Sequence, residues 1–76
     1  MSKGRILIVE DNQMNMTLMN DVLNHYNYET VCVDNGEDAI ETINNEKFDL
    51  VLLDLQLPKV SGFDVLKNIK KDVKVI

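Results

Sequence analysis

Two short apolar runs in this chain each end in acid. Ile6-Leu7-Ile8-Val9 leads straight into Glu10-Asp11, and Leu50-Val51-Leu52-Leu53 leads straight into Asp54. A continuous apolar run of this length suits a strand covered on both faces, the habit of a parallel sheet. Open parallel sheets bind ligands beyond the carboxyl ends of their strands. If the two runs are neighbours, three carboxylates converge on one rim. Carboxylates that close repel one another, and a divalent cation relieves the repulsion.

Between these runs, strand-like and helix-like segments alternate. The first strand is Arg5 to Val9, followed by Asp11 and Asn12, which offer N-cap chemistry. Asp11 read alone is therefore as easily a cap as a ligand. Leu18, Met19, Val22, Leu23 and Tyr26 then recur at spacings of three and four, one apolar stripe on a helix closed by His25-Tyr26-Asn27. Glu29 to Val33 alternates as an edge strand does. Asp34-Asn35-Gly36 signals a turn before a short helix with Ala39, Ile40 and Ile43 inward. Asn44-Asn45 is expected to be a loop, and Phe48 to Leu53 forms the third strand. Pro58 blocks helix continuation after Asp54, and Ser61 caps a third helix with Phe63, Val65, Leu66 and Ile69 on its apolar face. Val73 to Ile76 begins a fourth strand. The expected fold is α/β, a parallel sheet in the order βαβαβα with that last strand begun.

Composition narrows what such a domain can do. With 76 residues there is room for one small domain, near the margin of independent stability. A net charge of −5 disfavours nucleic acid and anionic membrane surfaces as partners. No stretch is long enough to cross a membrane or to serve as a signal sequence, so the expected location is cytosolic. Cys32 is the single cysteine. It is expected to be a small buried thiol, since no basic group beside it would lower its pKa. His25 reads as a cation near a helix C-terminus, and Met14, Met16 and Met19 as helix surface and core filler.

Ile6-Leu7-Ile8-Val9-Glu10-Asp11-Asn12, followed at the second acid by Asp54-Leu55-Gln56-Leu57-Pro58-Lys59-Val60-Ser61-Gly62, strongly resembles the receiver domain of two-component response regulators. The resemblance implies a flavodoxin-like fold with strand order 2-1-3-4-5, of which residues 1–76 are the N-terminal part, about three-fifths. It implies that Asp54 accepts a phosphoryl group from a histidine kinase or a phosphotransfer protein. It also implies that Mg²⁺ is held by Glu10, Asp11, Asp54 and the backbone carbonyl of Gln56, with Glu10 acting through water. Pro58 and Gly62 would shape the pocket rim. The Ser or Thr and the Lys that contact the phosphoryl group in the family fall beyond residue 76, as do the last two helices.

The family's last helix shares one face of the sheet with the first. Without it, apolar surface over the first and third strands is expected to lie bare, and the partial fold to be completed by self-association as a homo-oligomer. The leading functional reading is a phosphoacceptor signalling module, not an enzyme. The alternative is a truncated fragment that binds metal and serves only as a structural or interaction unit. A hydrolase using Asp54 and Glu10 lacks an assignable base and oxyanion donors.

Overall fold

The computed structural model describes residues 3–53 together with Lys67, Val75 and Ile76. The described elements are β1 (Arg5–Val9), α1 (Gln13–His25), β2 (Glu29–Val33), α2 (Gly36–Asn45) and β3 (Leu50–Leu53). All strands are parallel, in the order β2-β1-β3. Beyond β3, Val75 bridges Val51 in parallel. Leu53 N donates to Ile76 O at 2.8 Å and Ile76 N to Val51 O at 2.9 Å, so the expected fourth strand begins where the alternation placed it. The third helix expected from Ser61 lies outside the described residues, apart from Lys67, which is helical and exposed.

The central position of β1 explains its composition. Flanked by strands and covered on both faces, Ile6, Leu7, Ile8 and Val9 are at most 3% exposed. Leu7 and Val9 meet Val51, Ala39 and Ile43 in the core between the sheet and α2. Burial of such side chains contributes about 1.5–3 kcal/mol each relative to exposure. The α2 face expected inward is inward: Ala39 and Ile43 are buried and Ile40 packs against them.

Asn44 and Asn45, expected in a loop, form the last turn of α2 instead. Asn45 Nδ2 donates to the Glu41 carbonyl at 2.9 Å, a second donor to an oxygen one turn back. At the end of α1 the chain reverses through Asn27, whose φ of 69° is left-handed. Asparagine tolerates that region better than most residues. Tyr28 N then returns to Leu23 O at 3.0 Å and closes the helix.

The other face is built differently. No residue of α1 is fully buried, and the helix packs chiefly on β2 and β1. Its seam with β2 is polar: the Thr30 hydroxyl donates to Asn20 Oδ1 and lies 3.2 Å from Asn24 Oδ1. Cys32 Sγ sits 3.7 Å from Asn20 Oδ1. This corrects the expectation of a buried thiol, since Cys32 is exposed on the edge strand. Its local surroundings nonetheless push the thiol pKa up by partial burial, away from the reactive thiolate.

The rim opposite the strand ends is held by Arg5. Its side chain donates to Glu46 Oε1 at 2.6 Å, Glu29 Oε2 at 2.8 Å and the Lys47 carbonyl at 3.3 Å. The guanidinium also lies over the Phe48 ring, 4.8 Å from its centroid. The bond to Glu46, opposed by desolvation and helped by Glu29, leaves its pKa above the usual arginine value.

The bare surface differs from its expected place. β1 is not bare, with Ile6 3% and Ile8 0% exposed, while Leu50, Leu52 and Leu53 of β3 are half-buried. Among the described residues, the large apolar side chains left open are Ile76, 69% exposed, and the outer flank of α1, where Met14 is 80%, Leu18 63%, Val22 48% and Tyr26 56% exposed. The four on α1 repeat every four positions and form one ridge.

Candidate functional site

The chain leaves β1 toward β2 on one side, then returns to place β3 on the other. The reversal makes a crevice between the carboxyl ends of β1 and β3, where ligands of open α/β sheets bind. Register puts the strand ends level: Val9 pairs with Leu53 on one side and with Val33 on the other. Glu10 follows Val9 directly, and its backbone N–H donates to Val33 O at 3.1 Å. The acidic pair therefore stands at the mouth of the crevice. The run leading to the second acid ends beside it. Asp54 and Gln56 themselves lie outside the described residues.

Local structure separates the roles of Glu10, Asp11 and Asn12. The N-cap of α1 is Asn12, whose side-chain oxygen accepts from Asn15 N at 3.0 Å. Asp11 is thus not the cap. It is exposed, and no hydrogen bond or ion pair among the described residues engages its carboxylate. Glu10 is half-buried, and its Oε1 accepts from Asn12 N at 3.2 Å. One carboxylate is turned back to steady the loop and the other is left open to solvent. Both offer the hard oxygen donors that Mg²⁺ takes.

Beside this rim lies an open hollow of about 380 Å³, lined by Glu10, Asn15, Met19, Leu52, Leu53 and Ile76. Asn15 was not among the residues singled out from the sequence. Its only local signal is its spacing from Asn12, which serves equally well for capping. Nor was the Asn20–Asn24–Thr30 seam foreseen, although two asparagines four apart on a helix face already mark a polar strip. His25 stands in the last turn of α1, edge-on to Tyr26 with ring centroids 5.1 Å apart, away from the acids in sequence and in element.

Comparison with known proteins bears on the same architecture. The response regulator receiver domain model matches residues 6–76. The polar-differentiation response regulator DivK of Brucella anthropi is 43% identical over 67 residues, which are 88% of this chain and 54% of that protein. The chain thus spans about half the length of the curated relatives it matches. Response regulator TrrA of Thermotoga maritima, in complex with Mg²⁺-BeF, superposes with a TM-score of 0.88 at 36% identity over 99% of this chain and 66% of its own. TrrA is also seen in complex with the histidine kinase ThkA, with a TM-score of 0.86 over the same shares of the two chains. The receiver domain of a Pseudomonas aeruginosa sensor histidine kinase, with a magnesium ion coordinated in its active-site cleft, gives a TM-score of 0.83. It is 29% identical, with 86% of this chain and 53% of that one covered.

Proposed function

The chain belongs to the response regulator receiver domain family, the signalling modules of two-component systems, and from that premise we propose that Asp54 is its phosphoacceptor. The observation that carries the reading is the level register of Val9 and Leu53 at the switch point of the sheet. It brings the strand that runs into Glu10-Asp11 alongside the strand that runs into Asp54. Residues 1–76 are on this reading the N-terminal part of a receiver domain.

In the proposed reaction a carboxylate oxygen of Asp54 attacks phosphorus. An O–P bond forms as the P–N bond of a phosphohistidine, or the P–O bond of a small acyl phosphate, breaks. No proton need move to activate an ionised carboxylate, so placement and charge matter more than acid–base chemistry. Asp11 offers an open carboxylate and Glu10 a steadied one, and with Asp54 and the Gln56 carbonyl they are the proposed holders of Mg²⁺. Bound there, the ion supplies positive charge that offsets the repulsion between Asp54 and incoming phosphoryl oxygens. The TrrA and Pseudomonas neighbours, both described with magnesium, support Mg²⁺ as the ion. A histidine kinase is the proposed phosphoryl donor, a reading supported by the TrrA complex with ThkA.

The test uses the chain with Mg²⁺ and a small acyl-phosphate donor. Intact mass is expected to show one phosphoryl adduct, abolished by Asp54→Asn and by chelation of the metal. Metal binding without an adduct would leave the alternative, a fragment acting as an interaction unit.

The apolar ridge on α1 favours self-association as part of that function. Met14, Leu18, Val22 and Tyr26 lie on a helix with a single acidic residue, Asp21, in a chain of net charge −5. Two copies can therefore approach along this flank with little mutual repulsion. Light scattering after size exclusion is expected to report a dimer at micromolar concentration and a monomer for Leu18→Lys. A compact monomer of the unsubstituted chain would refute it.

A further inference from the structure

The turn between β2 and α2 contains Asn35-Gly36, the only asparagine-glycine pair in the sequence. In an unfolded chain this pair is chemically labile. The Gly36 backbone nitrogen attacks the Asn35 side-chain carbonyl carbon, a C–N bond forms, and the amide nitrogen leaves as ammonia. Water then opens the resulting succinimide at either carbonyl, giving aspartate or isoaspartate. Glycine favours the attack because no Cβ shields its nitrogen.

The fold opposes each step. Asn35 is the N-cap of α2, with φ −152° and ψ 162°. Ring closure requires the following nitrogen to lie nearly eclipsed with Cβ, and this extended ψ rotates it well away. The carboxamide is held at both ends: Oδ1 accepts from Asp38 N at 2.8 Å, while Nδ2 donates to Asp34 Oδ1 at 2.8 Å and Asp38 Oδ2 at 2.9 Å. Gly36 is itself buried, so water and base reach its nitrogen poorly.

We propose that Asn35 is a modification site gated by the fold, inert while α2 is capped and converted to aspartate or isoaspartate when α2 opens. Neither product can restore the cap unchanged. Both replace two N–H donors with a carboxylate set between Asp34 and Asp38, where like charges repel. Isoaspartate also inserts an extra backbone carbon just before Gly36 and displaces the first residue of the helix. Each opening that proceeds to chemistry thus makes the next opening easier. The modification is a covalent record of α2 unfolding, and it does not depend on the phosphoacceptor reading.

Incubating the chain at mildly alkaline pH, with and without denaturing urea, tests this. Peptide mapping by mass spectrometry would follow conversion at Asn35, with far-UV circular dichroism confirming the folded and unfolded arms. Conversion is expected to be at least about tenfold slower in the folded arm, since the rate through an open state scales with its population. Asp38→Ala removes one acceptor of the Asn35 amide while keeping the backbone donor, and is expected to speed conversion in the folded arm only. Equal rates in both arms, or an unfolded arm in which Asn35 is no more reactive than the other asparagines, would overturn the proposal.

Discussion

Leu7→Ala is expected to remove most of the chain's stability at room temperature. Leu7 is fully buried on the central strand, enclosed by Val51 on one neighbour and by Ala39 and Ile43 of α2. Hydrogen-bonded strands on both sides prevent the site from collapsing, so the missing methyl groups leave a cavity. Truncations of this kind cost about 2.7–5 kcal/mol. At roughly 0.05–0.15 kcal/mol per residue, a chain of 76 residues has about 4–11 kcal/mol in all. A small core places it toward the lower end. Urea unfolding followed by circular dichroism should move the midpoint down by about 3 M, given a slope near 1 kcal/mol per molar for a domain this size. Thr17→Ala, at an exposed position of α1 off the apolar ridge, serves as the control and should shift it little. An unchanged midpoint for Leu7→Ala would show that the core is not where β1 and α2 meet.

Asp11→Asn should weaken Mg²⁺ binding by at least about tenfold, because it removes one of the few charged oxygens a hard cation can use. The substitution is informative because of Asn12. That residue caps α1 through Asn15 N, so neutralising Asp11 leaves the helix start and the fold intact. Glu10→Gln should cost less, since its Oε1 already accepts from Asn12 N and a carboxamide oxygen can do the same. Asp34→Asn, at the end of β2 away from the crevice between β1 and β3, should leave the affinity nearly unchanged. Calorimetric titration of the four chains with Mg²⁺ would read out the order. Equal affinities for Asp11→Asn and the unsubstituted chain would remove the acidic pair from the proposed site.

Much of this was already legible in the residues. Ile6 to Val9 and Leu50 to Leu53 declare buried parallel strands because no amphipathic alternation interrupts them. The spacing of Ala39, Ile40 and Ile43 declares the inner face of α2. Three short-range features were decided by packing instead. Asn44-Asn45 has poor helix propensity, yet both residues continue α2 to its end. Cys32 sits in a β-branched stretch that reads as buried, but β2 is an edge strand and leaves it exposed. Asp11 and Asn12 are both able to cap, and only the backbone path shows that Asn12 does.

The chain order alone, then, determined the alternation of strands and helices and which residues stand at strand ends, since periodicity and capping are local properties of neighbouring residues. Tertiary structure decided that Val9 and Leu53 stand level where β3 lies beside β1, an order the family resemblance implied and periodicity did not. It also decided that α1 turns its ridge of Met14, Leu18, Val22 and Tyr26 outward. Those outcomes depend on which surfaces bury one another across long stretches of chain, and no pattern of nearest neighbours carries that information.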